Sequence, residues 1–193
     1  QIEKGPETKD MHYYKSVTLY YLNKPKEAIS SIDKAITIDK EVPDFYSLKG
    51  QLHQTVEEYD NAVFAFEKSL ALINITNPSY ANVQYNLALS QQLGGDYVAA
   101  KKTFKDCLRL SPDDFQAMSK LIQVFYSSDA IEEAKPYKEK LFDAHKNGML
   151  PEHMKNMYCY EQFEWNDTKI MAFEAFEPQV KSLGTWTVSY THL

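Results

Sequence analysis

The sequence predicts a mainly α protein: an α-α superhelix of four stacked helix hairpins, followed by a short C-terminal β-hairpin. Three observations carry that expectation. First, a pattern of small and apolar residues recurs with Ala28, Ala62, Ala100 and Ala134 in register, at separations of 34, 38 and 34 residues. Second, each unit holds two segments with apolar residues at i, i+3, i+4 and i+7, the spacing of a helix buried on one face. Third, 14 Tyr and 10 Phe stand against only 6 Gly in 193 residues, a balance suited to helices packed by large side chains.

The register divides the chain into a tail (1–8), four repeats (9–42, 43–76, 81–114 and 115–146), a linker with a β-hairpin (147–179) and a final tail (180–193). Twelve residues before each register alanine stand Ser16, Gly50, Ala88 and Ile122, of which three are small. Four residues after it stand Ile32, Phe66, Phe104 and Lys138; seven after, Ala35, Ser69, Cys107 and Leu141. A small residue on the first helix lets the second approach closely, and a small one early in the second accepts bulk from the first. The turns fall at NKP (23–25), EEY (57–59), GGDY (94–97) and SSDA (127–130). Pro25 fits the first turn of a helix, where a missing N–H is harmless. Asp96 and Asp129 fit N-caps, and Gly94 or Gly95 a helix stop. The extra residues of the middle interval sit in the polar connector INITNPSY (73–80), where an insertion is tolerated. Pro136 lies inside the last helix of the fourth unit, which should therefore begin late or kink.

These units resemble the tetratricopeptide repeat. The third copy carries YNLA, GDY and the helix-ending LSPDD, and the second keeps Gly50, Tyr59, Ala62 and Phe66. The first keeps its turn with Ala28 and Ala35, and the fourth is degenerate. The resemblance implies that the first helices of the hairpins line a concave groove able to bind an extended peptide or a partner's helix. By register the inward positions are Tyr13, Val17 and Tyr20, then Ser47, Gln51 and Gln54. Tyr85, Leu89 and Gln92 follow, and then Ser119, Gln123 and Tyr126. None is charged. Some family members clamp a chaperone's C-terminal carboxylate with Lys, Asn and Arg on this face; here only Asn86 is compatible, so that partner is not expected. The site candidates are Tyr13, Tyr20, Gln51, Gln54, Tyr85, Asn86, Gln92, Gln123 and Tyr126. Amides can bond a peptide backbone, and tyrosine rings give apolar contact with a polar tip. The competing reading is that these tyrosines pack between neighbouring helices.

After KNGMLPEH (146–153) the rhythm changes to a period near two. Residues 156–165 and 168–177 read as strands joined at Asn166-Asp167, a turn pair. A similar strand pair follows some bacterial tetratricopeptide arrays. Helix is the competitor, since Glu, Met and Ala are good helix formers. The hairpin is expected to cap the array or to open a larger β-domain. VSYTHL (188–193) resembles the read-through of a library adaptor, so the natural chain is expected to continue differently there; an ordinary terminus is the alternative. The chain begins at Gln1 without a signal-peptide apolar region, as expected of a processed or partial product.

The remaining arithmetic bounds the function. With 44% hydrophobic and 25% charged residues and a mean hydropathy of −0.50, the composition is ordinary for a globular chain. A net charge of −6 argues against a partner with a phosphate backbone, which requires a basic face. No run approaches the roughly 18 apolar residues of a spanning helix. Two cysteines, Cys107 and Cys159, with no CxxC, give no zinc frame and no disulfide scaffold. Phosphate-binding glycine loops, HExxH and GxSxG are absent. The carboxylate pairs Glu57–Glu58, Asp113–Asp114 and Glu132–Glu133 fall at turns or before helices, where they favour helix N-termini or face solvent. Met149, His153, Met154, Met157 and Cys159 are a soft-ligand set of the kind that suits Cu(I), although a methionine-rich packing layer explains them more simply. Cys107 stands at a small-residue position and should be buried and inert. No metal, no cofactor and no catalysis are therefore expected. The expected function is a non-catalytic protein–protein interaction module. The alternatives are a module that positions an absent C-terminal domain, or the non-catalytic part of a larger enzyme.

Overall fold

A computed structural model describes residues 7–152 and Met154. These residues form eight α-helices: α1 (Lys9–Tyr21), α2 (Pro25–Ile38), α3 (Pro43–Thr55), α4 (Tyr59–Leu72), α5 (Tyr80–Leu93), α6 (Tyr97–Leu110), α7 (Phe115–Ser127) and α8 (Ile131–Lys146). No strand occurs among the described residues. The β-hairpin expected at 156–177 and the tail at 180–193 lie outside them. The chain divides into two compact units, residues 1–103 and 104–193, with the division inside α6.

In the first unit, consecutive helices pack as antiparallel neighbours: α1 on α2, α2 on α3, α3 on α4 and α4 on α5. The helix-A elements also meet one another, α1 with α3 and α3 with α5. Leu19, Ala28, Ile32, Ala35, Phe45, Leu48 and Leu52 form one buried cluster that joins the first hairpin to the second. Ala62, Phe66, Val83 and Leu87 form another, between the second hairpin and α5. In the second unit α7 packs on α8, and Phe125 meets the ring of Tyr137 at 5.7 Å between centroids.

All four register alanines are completely buried. The close approach they were expected to permit is sharpest at Gly50, where an added Cβ would lie 2.6 Å from the Phe66 ring. The first hairpin meets the same need differently: Ser16 is buried and its hydroxyl donates to the Ala28 carbonyl at 2.9 Å. Ion pairs add lateral ties in the first unit, Lys49 with Asp33 at 2.7 Å and Lys9 with Asp39 at 2.6 Å.

The turns share one device. Five residues before each register alanine stand Asn23, Glu57, Gly95 and Asp129, with φ of 57°, 60°, 86° and 54°. Each ends its helix in the left-handed region, which reverses the chain in very few residues. Asp129 is therefore not the N-cap that its sequence context suggested. The cap of α8 is Ala130, without a side-chain bond, because a residue already in the left-handed region cannot also take the extended N-cap conformation. Asp96 does cap α6, accepting from the Ala99 N–H at 3.0 Å, and Asp114 caps α7 likewise at 2.9 Å. Pro25 and Pro43 stand in the first turns of α2 and α3.

Pro136 does not delay α8, which begins at Ile131 and continues through it. The reason is position: proline's fixed φ suits a helix, and the bond it forfeits is that to the carbonyl of exposed Glu132, which water can satisfy.

Candidate functional site

The register positions that would line a groove fall on helix-A elements. In the first unit Tyr13, Gln51, Gln54, Tyr85, Asn86 and Gln92 are all half-buried, and Tyr20 is exposed. They stand on α1, α3 and α5, the helices that touch in sequence. Residues next to them in sequence on the packing side, such as His12, Leu52 and Gln91, are buried. The face is thus set by helical period: the same turns that sink the core residues leave these side chains at its margin.

Tyr13 packs its ring on Phe45 at 5.4 Å between centroids and edge-on to Tyr14 at the same distance. Burial first, then Asp44 and then Tyr14, push its phenol above the usual range, so its hydroxyl stays a neutral donor at pH 7. Tyr20 lies against Tyr21 at 5.8 Å. Gln54 is turned inward: its amide donates to the Asn86 carbonyl at 3.1 Å and to the Ser90 hydroxyl at 2.8 Å. It ties α3 to α5 and is committed to that joint. Asn86 in turn donates to the Asn82 carbonyl at 2.9 Å, one helical turn away. Gln92 keeps its side-chain oxygen buried without a partner, as do Gln84 and Gln91 on the same helix.

In the second unit Gln123 and Tyr126 stand on α7, both half-buried. Here the surroundings are not neutral. The Lys120 ammonium donates to the Gln123 oxygen at 3.2 Å, and the Lys138 ammonium lies 5.9 Å from the centre of the Tyr126 ring. Counting charge along helix A missed Lys138, because it comes from helix B. Ser90 was missed as well. A small polar residue where the second hairpin has Leu52 was the available signal, since it leaves room for the Gln54 amide.

The other sequence candidates resolve into structural roles. Cys107 is buried, and its thiol is pushed up to about 12, chiefly by burial and then by Asp114 and Asp106. It stays protonated and unreactive at neutral pH. Glu58 pairs with the buried His53 at 2.7 Å across the α3–α4 turn. Its carboxyl is held below the usual range by Asn61 first and His53 second. Glu57, Glu58 and Asp60 help to line a shallow open cavity of about 400 Å³ with Tyr59, Asn61 and Gly94. Of the soft-ligand set, Met149 is exposed and Met154 buried; the other three lie outside the described residues. In the polar connector after α4, Asn74 accepts from the Thr76 N–H and hydroxyl, both at 2.9 Å, which closes an exposed turn. No helix among the described residues is long and apolar enough to cross a membrane.

The comparisons with known proteins agree with this frame. The tetratricopeptide-repeat family model matches residues 43–74 and 81–114. No curated protein matches the chain. Among solved structures, a crystal structure of MamA superimposes with a TM-score of 0.65 at 20% identity, covering 72% of this chain and 80% of that one. The first such domain of Spaghetti (RPAP3), bound to the HSP90 peptide SRMEEVD, gives 0.57 at 19% identity, covering 67% and 99%. The second such domain of human RPAP3, in complex with the HSP70 peptide SGPTIEEVD, gives 0.53 at 18%, covering 60% and 97%. These likenesses show the fold, one of the α-α superhelix class.

Proposed function

We propose that this chain, a tetratricopeptide-repeat protein, is a non-catalytic interaction module that holds an uncharged, extended peptide or partner segment on the helix-A face of its first unit. The observation that carries the reading is the composition of that face. Tyr13, Gln51 and Tyr85 are half-buried, with one side still open to solvent. Together they offer hydroxyl and amide groups beside ring surface, and no Lys or Arg stands among the candidates. An extended peptide exposes alternating N–H and C=O groups, which amides satisfy as donor and acceptor at once. Gln54 and Asn86 support the face from behind, through the joint between α3 and α5.

The two RPAP3 domains are bound to peptides that end in Glu-Glu-Val-Asp. Such a terminus brings several negative charges, and desolvating them without cations is unfavourable. The neutral face favours a different peptide chemistry. Selection of a random peptide library on the full chain tests this. Enriched peptides should lack acidic C-termini, and Gln51→Ala with Tyr85→Ala should reduce their retention about tenfold or more. Enrichment of acidic termini, or retention unchanged by both substitutions, overturns the reading. No enrichment at all favours the positioning module in its place.

A further inference from the structure

We propose that the segment held on the helix-A face is proline-rich and takes the polyproline II conformation. Two prolines three residues apart sit against Tyr13 and Tyr20, and a Lys or Arg lies beyond them at the end marked by Asp10 and Asp44. The inference rests on the peptide-binding reading above and narrows it to one chemistry.

α1 presents Tyr13, Val17 and Tyr20 at i, i+4 and i+7, on one side of the helix. Tyr13 and Val17 are half-buried against the first core cluster, and Tyr20 is 37% exposed. Seven residues of helix rise about 10.5 Å, so the two tyrosines are set about that far apart along α1. A polyproline II chain rises about 3.1 Å per residue and turns once in three, which returns every third residue to the same side at about 9.3 Å. A β-strand returns to the same side every second residue, at about 6.7 Å and then about 13.4 Å, and so misses one tyrosine or the other.

Gln51 holds on α3 the register position that Val17 holds on α1, eleven residues before the alanine, and the two helices touch. Its side-chain amide has no partner among the described residues and is not sealed from solvent. Polyproline II carbonyls have no internal partner and proline has no N–H, so a face that binds such a chain needs donors. Gln51 and the neutral Tyr13 hydroxyl supply them beside the aromatic rings, the combination on which proline-rich chains dock. A helical partner also matches the rise of α1, but its backbone groups are already paired and would leave Gln51 without a bond.

Charge marks one end. Asp10 and Asp44 share a register position, eighteen residues before the alanine, at the N-terminal ends of the α1 and α3 stripes. Both are exposed, and neither has an ion-pair partner among the described residues. Asp44 is close enough to Tyr13 to act on its phenol. Lys9 and Lys49 are bonded to Asp39 and Asp33 at 2.6 and 2.7 Å. Lys15, two residues from Tyr13 and from Val17, stands on the opposite side of α1. The face is therefore neutral along its length and acidic at one end, the complement of an uncharged proline run with a basic flank.

Fluorescence anisotropy tests the proposal, with the full chain titrated into a labelled Arg-Ala-Pro-Ala-Ala-Pro-Ala-Ala-Pro peptide and circular dichroism to verify the helix content of each variant. Binding should saturate below about 1 mM. Replacing the prolines by alanine, or spacing them as Pro-Ala-Pro, should weaken it about tenfold or more. Tyr20→Ala should do the same while Tyr20→Phe, which keeps the ring, stays near wild type. Gln51→Ala should cost about threefold to tenfold. Asp10→Asn with Asp44→Asn should abolish the preference for Arg over Ala at the flank and leave the proline dependence intact. Val98→Glu, at an exposed position on α6, should change nothing. A wild-type chain that binds no proline peptide up to about 1 mM overturns the proposal. Equal binding of the proline-free peptide, still lost in Tyr20→Ala, also overturns it but leaves the peptide-binding reading standing, whereas retention of neither peptide and an empty library selection would remove both. An arginine preference that survives the double Asn substitution overturns the assignment of the flank.

Discussion

The second and fourth hairpins obey one register with opposite chemistry at the same joint. In the second, the small residue is on helix A and the bulk on helix B: Gly50 faces the ring of Phe66 so closely that no Cβ fits between. In the fourth, the equivalent residues are Ile122 and Lys138, both buried. Bulk has moved to helix A, and helix B supplies the stem of a lysine whose ammonium lies over Tyr126. A lysine stem can cover apolar surface while its head finds a polar or aromatic partner. The family model matches the second hairpin and not the fourth, yet both fold as antiparallel helix pairs. What they share is the completely buried alanine, Ala62 in one and Ala134 in the other. The difference teaches that the close helix contact at the alanine defines the hairpin, while the bulky side of the joint can change places.

The comparison breaks most visibly at Phe66. Its ring is completely buried and belongs to the cluster that joins the second hairpin to α5. Phe66→Ala should cost about 3–5 kcal/mol in urea denaturation, the range for emptying an aromatic site in a packed core. Lys138→Ala in the fourth hairpin should cost less, because a lysine's buried stem offers less apolar surface than a phenyl ring. Equal losses at the two positions would mean that the joint is not organised around the Gly50–Phe66 contact.

Gly50→Ala sharpens the same point with one methyl group. The added Cβ would meet three ring atoms of Phe66 at 2.6 to 2.8 Å. Alanine is the better helix former by about 1 kcal/mol, so propensity alone predicts a gain. Overpacking against a ring with no free space predicts a loss of about 1–3 kcal/mol, and the steric effect should win. A midpoint at or above wild type would show that the ring can move aside. If the clash is the whole cause, Gly50→Ala combined with Phe66→Leu should cost less than the two single losses together.

Much of this arrangement could be read from residues alone, because it rests on periodicity. The register alanines, the eight helices and the turn positions all follow from spacing, and spacing is local. The readings that failed turned on conformation within a spacing. Asp129 has the composition of an N-cap, but its φ of 54° makes it a helix stop. Pro136 suggests a late start for its helix, but α8 begins ahead of it at Ile131, and the carbonyl it orphans lies on an exposed turn. The candidate face was readable as a list of positions and not as a set of bonds. Nothing local to Gln54 says that its amide reaches Ser90, 36 residues away.

The smallest expected effect lies in the turns, where four residues adopt one conformation with unequal ease. Gly95 enters the left-handed region without steric cost, and Asn23 and Asp129 belong to the types that tolerate it. Glu57, at φ 60°, has neither advantage. It also stands beside Glu58 and Asp60 around the acidic cavity. Glu57→Gly removes the strain of a Cβ in this region and one like charge, while adding the conformational freedom of glycine to the unfolded chain. The first two effects should exceed the third, for a net gain of about 0.5–1 kcal/mol. Asn23→Gly should gain only a few tenths, because asparagine already accepts the conformation. Urea midpoints of the two variants, measured beside Glu57→Ala, separate strain from charge. Alanine removes the charge and keeps the Cβ, so a gain from Glu57→Ala as large as that from Glu57→Gly would assign the effect to the carboxylates and not to the backbone.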